Sequence, residues 1–198
     1  MFSLKKKVLI VGGGTAGLLI AENLKHNFDV VVIEKSKFRN TPIFNRVPLL
    51  IGPLYRKKIL KYIKKIEMVA HRDKVIPFFE SRVLGGASVI NGCVHALGSK
   101  RIWNKELNRF SINFDQVKDA YTKIFTTEIY NFSKKIKLRM AAHNELDQYF
   151  FQTLKEKNFT GTGLLTADHS GYGRVINTVG RFFRSSVLSI FKDHKLNV

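Results

Sequence analysis

Residues 8–34, VLIVGGGTAGLLIAENLKHNFDVVVIE, decide the fold of this 198-residue chain. A short apolar strand is followed by a glycine-rich turn, a helix, a second apolar strand and an acid. This order is typical of a βαβ unit that binds a dinucleotide through its pyrophosphate. We predict strands over 7–11 and 29–34 and a helix over 15–26. The predicted class is therefore α/β, with a Rossmann-like FAD/NAD(P)-binding domain.

Three glycines and one acid carry the dinucleotide prediction. Gly12 lets the chain turn sharply, Gly14 leaves room for a phosphate, and Gly17 allows the helix to pack closely on the sheet. The helix N-terminus directs its N–H groups at the anion. Glu34 follows the second strand, where a carboxylate accepts hydrogen bonds from ribose hydroxyls and favours FAD or NAD over NADP. An ordinary βαβ turn with incidental glycines is the alternative.

The bulk composition indicates a globular protein, since 44% of the residues are hydrophobic. The single cysteine, Cys93, excludes an internal disulfide and is interpreted as a small buried hydrophobic residue. No apolar run reaches the roughly 18 residues of a membrane span. We therefore expect a cytoplasmic protein.

The chain is strongly basic, with 34 Lys and Arg against 15 Asp and Glu and a net charge of +19. The basic residues are spread over the chain and match no nucleic-acid-binding motif, so we expect no specific nucleic-acid partner. The densest stretch, RKKILKYIKK at 56–65, predicts an amphipathic helix that could make peripheral contact with an anionic membrane. A surface helix with its apolar stripe on the core is the alternative.

The rest of the chain gives coarser predictions. Prolines break regular structure over 36–55, and a glycine-rich loop is expected over 161–173. Apolar periodicity predicts further elements: an extended segment at 74–79, helices at 115–125, 138–157 and 179–192, and the opening of a strand at 196–198.

Residues 81–100, SRVLGGASVINGCVHALGSK, form the second informative segment. Adjacent glycines followed by small residues predict a loop whose backbone approaches a ligand closely. Ser88 and Asn91 add side chains that form hydrogen bonds. Taken alone, the segment indicates only a ligand-facing loop.

Together, the two glycine segments resemble those of the glucose-methanol-choline oxidoreductases, which are flavoenzymes that oxidise alcohols. That family carries a segment close to [R/K]-V-L-G-G-[S/A]-S-x-x-N-G, which residues 82–92 match as RVLGGASVING. The resemblance implies that 1–198 is the N-terminal part of an FAD-binding domain. Within it, 1–35 would be the βαβ unit and 81–100 the flavin-contacting loop.

The resemblance also implies a set of FAD contacts. Backbone N–H groups late in the second segment would stabilise negative charge on the reduced flavin. Members with covalent flavin carry histidine where this chain has Ile90, so noncovalent FAD is expected. The implied FAD contacts are Gly12, Gly14, Thr15, Ala16, Gly17 and Glu34 for the ADP part, Arg82, Gly85, Gly86, Ser88 and Asn91 for the second loop, and Gly92, Cys93 and Val94 for the N–H donors.

The chain departs from the family pattern in its catalytic base. In that family the catalytic base, a histidine paired with another histidine or an asparagine, comes near the C-terminus, and none of the six histidines here matches that motif. We therefore assign no catalytic residue and no metal ligand. We expect the C-terminal return of the FAD domain and most of the substrate domain to be absent, so that alcohol oxidation needs a missing portion or a partner chain.

Three functions fit these observations. The first is an FAD-dependent oxidoreductase acting on CH–OH groups of an alcohol, present as a truncated or N-terminal fragment. The second is an FAD-dependent monooxygenase or halogenase, suggested by GGGTAG, although Trp103 is the only tryptophan and halogenases usually carry a tryptophan pair. The third is a non-catalytic remnant that binds flavin or docks on a membrane or polyanion.

Overall fold

The computed structural model describes residues 5–36, 46–48, 63–69, 74–127, 135–161 and 171–191. The chain forms two compact units. The first unit comprises residues up to Gly92 together with those from Phe182 onward, and the second runs from Cys93 to Arg181.

A parallel βαβ motif begins the first unit. Strand β1 (Lys7–Val11) leads into helix α1 (Thr15–Leu24), which returns to strand β2 (Asp29–Ile33). The strands pair in parallel from Lys7 opposite Asp29 to Val11 opposite Ile33. Leu18 of α1 and Val32 of β2 are completely buried. The predicted strand–helix–strand order is confirmed, with the helix ending two residues and β2 one residue earlier than expected.

Two glycines make the turn between β1 and α1. Gly12 has φ +104°, a conformation that residues with a Cβ rarely adopt. A Cβ on Gly17 would lie 2.0 Å from the carbonyl oxygen of Gly12, so the helix approaches the turn more closely than any side chain would permit.

An antiparallel ribbon follows in the first unit. Strand β3 (Ile63–Val69) pairs with strand β4 (Val75–Ser81) over seven residue pairs. The extended segment predicted at 74–79 is confirmed. The helix predicted at 56–65 is wrong for 63–65, and 56–62 lie outside the described residues. The isoleucines of this stretch suit either structure locally, and pairing with distant β4 selects the strand.

Among its described residues, the second unit combines three helices with short strands. Of the predicted helices, the one at 115–125 is confirmed, within one residue at each end, and the one at 138–157 is wrong before residue 145. Asn144 accepts a hydrogen bond from the Asp147 N–H and starts the helix there, while residues 139–140 of the predicted helix pair as a strand instead. The bounds are β5 (Val94–His95), α2 (Lys100–Leu107), α3 (Phe114–Ile124), β6 (Phe125–Thr126), β7 (Ile136–Lys137), β8 (Arg139–Met140), α4 (Glu145–Glu156) and β9 (Ile176–Asn177).

The helix predicted at 179–192 is also wrong for the described residues up to 191. Only a 3₁₀ turn at Val187–Ser189 forms, and Ser186 caps it by accepting from the Leu188 N–H. Side-chain acceptors such as serine compete with the helical hydrogen-bond pattern. Most of 161–173 and all of 196–198 lie outside the described residues, within which no helix is long and apolar enough to span a membrane.

The tight contact at Gly17 gives a stability prediction. We expect Gly17→Ala to lower the free energy of unfolding by at least about 2 kcal/mol, because its methyl group would overlap the Gly12 carbonyl. Urea denaturation followed by circular dichroism measures the change.

Gly14→Ala is the matched control. A Cβ at Gly14 would meet nothing within 4 Å, and its φ is −75°. We expect a loss below about 1 kcal/mol for an alanine at this N-cap position. Equal destabilisation by the two variants would contradict the packing role assigned to Gly17.

Candidate functional site

The two glycine segments meet in the first unit. The N–H of Gly85 donates a hydrogen bond to the carbonyl of Gly13 at 2.8 Å, and the Thr15 hydroxyl donates to the carbonyl of Gly85 at 3.3 Å. A Cβ on Gly86 would lie 2.9 Å from the Cα of Gly14. The second loop therefore packs backbone to backbone on the turn that starts α1.

A cleft of about 500 Å³ lies beside this junction. It opens at the carboxyl ends of the parallel strands, where Val11 and Ile33 are exposed. Ligands of α/β proteins bind at this edge of the sheet, and the volume is in the range of ligand pockets. The lining residues are Val11, Gly12, Gly14, Thr15, Ile33, Glu34, Lys35, Glu80, Ser81, Val83, Gly86 and Ala87.

The N-terminus of α1 faces this cleft through Gly14 and Thr15. Gly14 is the N-cap, and having no side chain it caps none of the helix N–H groups. The first turn contains no acidic residue. The partial positive charge of the helix end is thus not neutralised locally by its own first turn, which favours an anion at this position.

Glu34 ties the end of β2 to the glycine turn. Its Oε2 accepts from the N–H of Gly13 at 2.6 Å, and its Oε1 accepts from the N–H of Ser36 at 2.7 Å. The carboxylate is therefore held at the cleft by two backbone donors. Each oxygen retains a second lone pair, so ribose hydroxyls remain a prediction compatible with this geometry.

Gly13 is a site residue that the sequence analysis missed. Its N–H donates to Glu34 and its carbonyl accepts from Gly85, so it links both halves of the site. A Cβ there would lie 2.7 Å from Cδ1 of Leu84 and 2.9 Å from Oε2 of Glu34. The unbroken run of three glycines was the available signal.

The second loop is shaped by left-handed glycines and a serine. Gly85 has φ +91° and Gly86 has φ +60°. The Ser88 hydroxyl donates to the carbonyl of Gly85 at 2.8 Å, which closes the loop on itself. Asn91 and Gly92 are exposed at its end. Four of the five predicted second-loop contacts thus belong to one short, ordered segment.

Arg82, the fifth predicted contact of the second loop, precedes this segment. Its carbonyl accepts from the Ser36 hydroxyl at 2.6 Å, and the residue is exposed. Arg82 therefore joins the segment that follows β2 to the segment that follows β4. Neither Arg82 nor Ala16, which lies in the first turn of α1, lines the cleft.

Cys93 and Val94 belong to the second unit. Cys93 is buried with φ +64°, and its carbonyl accepts from the N–H and the hydroxyl of Thr178 at 2.8 and 3.3 Å. Val94 starts β5 and is 67% exposed. The buried thiol agrees with the predicted packing role of Cys93, while the flavin contact of both residues stays a prediction.

Several cleft residues were not among the FAD contacts assigned from the sequence. Lys35 follows the predicted acid, and Glu80 and Ser81 end β4. Ser81 opens the segment 81–100 that is predicted to contact the flavin, and Glu80 directly precedes it. Across the described ranges, no group of His, Cys, Asp and Glu could hold a metal ion.

Comparison with known proteins relates the chain to sugar and alcohol oxidoreductases. It is 34% identical over 99 residues to a pyranose dehydrogenase of Agaricus campestris, which is 49% of this chain and 17% of that protein. Its fold matches pyridoxine 4-oxidase from Mesorbium loti (TM-score 0.74, 17% identity) and formate oxidase of Aspergillus oryzae RIB40 (TM-score 0.75, 19% identity).

These matches differ in how much of each protein they cover. The two solved structures match 95% and 97% of this chain, whereas the chain spans only 39% and 38% of theirs. No family model matches the sequence. The fold of the described units is thus that of one portion of much longer oxidoreductases.

His95 lies in an aromatic cluster of the second unit. Its ring centroid is 5.4 Å from that of Tyr121 and 4.5 Å from that of Phe125. Burial lowers the pKa of His95 and raises the pKa of Tyr121 to about 12. Burial therefore favours the neutral form of both groups.

This burial predicts that stability depends on pH. Unfolded His95 gains a proton as the pH falls below about 6.5, whereas the folded residue resists protonation until lower pH. We therefore expect its contribution to be complete above that pH and to decline below it.

The measurement compares the native chain with His95→Phe, which keeps an aromatic ring and removes the titration. We expect the free energy of unfolding of the native chain to fall relative to the variant between pH 7 and pH 5. A constant difference across that range would show that His95 does not couple folding to protonation.

Proposed function

Because the chain belongs to the glucose-methanol-choline oxidoreductases, corresponding to their N-terminal part, we propose that it holds FAD for the oxidation of an alcohol CH–OH group. The observation that carries this proposal is the junction of the two glycine segments. One hydrogen bond, from Gly85 to Gly13, brings the uncapped N-terminus of α1 and the second loop to one cleft.

The residues at the cleft suit FAD in both shape and charge. Gly17 and Gly86 sit where a Cβ would overlap backbone, so α1 and the second loop each approach the turn without side chains between them. Gly14 leaves open space in front of the helix end, which suits a pyrophosphate. Glu34 at the end of β2 suits the adenosine ribose.

We propose a division of roles on this basis. The α1 N-terminus with Gly12, Gly14 and Glu34 holds the ADP part, and the loop at 85–92 holds the flavin part. When bound, FAD supplies the hydride acceptor for the alcohol carbon. The chain binds and orients this cofactor. Backbone N–H groups that are already in position before the reaction stabilise the negative charge that develops on the flavin, so the protein does not have to reorganise.

The oxidation also requires a base for the hydroxyl proton. The histidines of this chain match no base motif of the family, so we propose that further polypeptide supplies the base. The solved structures of similar fold are long enough to contain such a base outside the matched region, because this chain covers under two fifths of each. Pyranose dehydrogenase relatives make a sugar the first substrate class to examine.

We propose that the FAD is bound noncovalently. Ile90 occupies the position at which covalent members carry histidine. Its side chain is buried in an apolar cluster with Ile63, Val83 and Val89. This position therefore offers the flavin no nucleophile. FAD modification is described for the formate oxidase with the similar fold, so the state of the flavin needs a direct measurement.

Gly14→Val tests the proposed site. The native chain should bind FAD, and the variant should lose binding at least 100-fold, about 2.7 kcal/mol, because the valine fills the space reserved for the phosphate. Quenching of FAD fluorescence on titration measures the affinity. The valine meets no protein atom at its Cβ, so the fold should persist.

Gly161→Val and His95→Ala are the controls. Both positions belong to the second unit, and a Cβ at Gly161 would make only ordinary contacts, with the Tyr172 ring at 3.8 Å. Neither variant should change FAD affinity by more than about twofold. Equal binding by Gly14→Val and the controls would refute the site.

Noncovalent binding makes a separate prediction. Denaturing the FAD-loaded chain in acid and centrifuging it should leave all flavin absorbance in the supernatant, with the mass of unmodified FAD. Flavin that precipitates with the protein would indicate a covalent bond and overturn the argument from Ile90.

A further inference from the structure

The 3₁₀ segment near the end of the described chain holds the second glycine loop in place. We call residues 184–189, which include this 3₁₀ segment, the clamp. Its Arg184 donates from Nη1 to the side-chain oxygen of Asn91, and the N–H of its Val187 donates to the Ser88 hydroxyl at 3.3 Å. Through these two hydrogen bonds the clamp contacts the loop in its middle and at its end.

Packing reinforces these polar contacts. Leu188 packs against the buried cluster that contains Val89 and Ile90. A Cβ on Gly85 would lie 3.0 Å from Cγ of Leu188, so the clamp also closes over the left-handed glycine. The loop is thus held from one side by an apolar contact and at its end by a cation.

Arg184 is itself anchored by backbone. Its N–H donates to the carbonyl of Arg46 at 2.6 Å, and the residue is only partly exposed. A guanidinium presents several donors in a rigid plane, and its hydrogen bonds to neutral acceptors are stronger than those between neutral groups. It can therefore restrict the Asn91 side chain to one orientation.

We propose that Arg184 is a positioning residue that fixes Asn91, and with it the loop at 85–91, in the shape that receives the flavin. The flavin part of this inference rests on the proposed function, whereas the effect on the loop does not. Arg184 acts through Asn91 and is assigned no contact with substrate.

Hydrogen exchange of the full chain without FAD tests the effect on the loop. The amides of Ile90 and Asn91 both donate to the carbonyl of Ala87, so their exchange reports the loop directly. In Arg184→Met we expect these amides to exchange about tenfold faster, while the amides of β1 and β2 stay unchanged. Arg184→Lys should restore protection in part, because it keeps the cation and loses the planar fork.

FAD titration of the same variants tests the effect on the cofactor. We expect Arg184→Met to raise the dissociation constant about tenfold and to alter the absorption spectrum of bound flavin. Arg174→Met is the matched control, since Arg174 donates to the carbonyl of Ala141 within the second unit. It should leave both readouts unchanged. Asn91→Ala removes the acceptor of the same hydrogen bond and should weaken FAD binding to the same extent as Arg184→Met. It therefore tests the proposal even if Arg184→Met folds poorly.

Each outcome decides part of the inference. If the exchange rates of the loop amides do not change in Arg184→Met, or if exchange becomes faster by the same factor across the whole first unit, the positioning role is overturned. Faster loop exchange with unchanged FAD affinity and spectrum would overturn its link to the flavin. If the native chain binds no FAD while loop exchange still rises, the proposed function fails and the link between Arg184 and the loop stands.

Discussion

The site depends on backbone approaching backbone without side chains between. A Cβ on Gly17 would lie 2.0 Å from the Gly12 carbonyl, and one on Gly86 would lie 2.9 Å from the Cα of Gly14. These two contacts bring β1, α1 and the second loop together. Such proximity leaves the N-terminal end of α1 uncovered toward the cleft, where an anion can approach it.

Hydrogen bonds from polar side chains fix the glycine turn and the second loop in position. Glu34 accepts from the N–H of Gly13, and Ser88 accepts from the N–H of Val187 while donating to the carbonyl of Gly85. The contacts of Glu34 with Gly13 and of Ser88 with Val187 join segments that lie apart along the chain, whereas the contact of Ser88 with Gly85 is local. The glycines therefore allow the close backbone contacts, and a few carboxylate and hydroxyl groups restrict the movement of the segments that make them.

Local signals predicted the elements whose causes are local. The βαβ unit, the extended segment at 74–79 and the helix at 115–125 each carry a complete pattern of apolar spacing with turn or cap residues. The helix predicted at 179–192 was wrong for a local reason, since Ser186 caps a short 3₁₀ turn, whereas two other errors arose where another segment decided the outcome. Residues 63–65 are a strand because β4 pairs with them, and residues 139–140 are a strand because β9 pairs with them.

The sequence by itself determined the glycine turn, its acid and the second motif, because these follow from the conformational freedom of glycine and from residue order. Only the tertiary structure decided that Gly13 bonds Gly85, that Glu80 reaches the cleft, and that Arg184 meets Asn91. These contacts span up to 93 positions of the chain. No local pattern encodes them, since they exist only once the core has packed and brought the segments together.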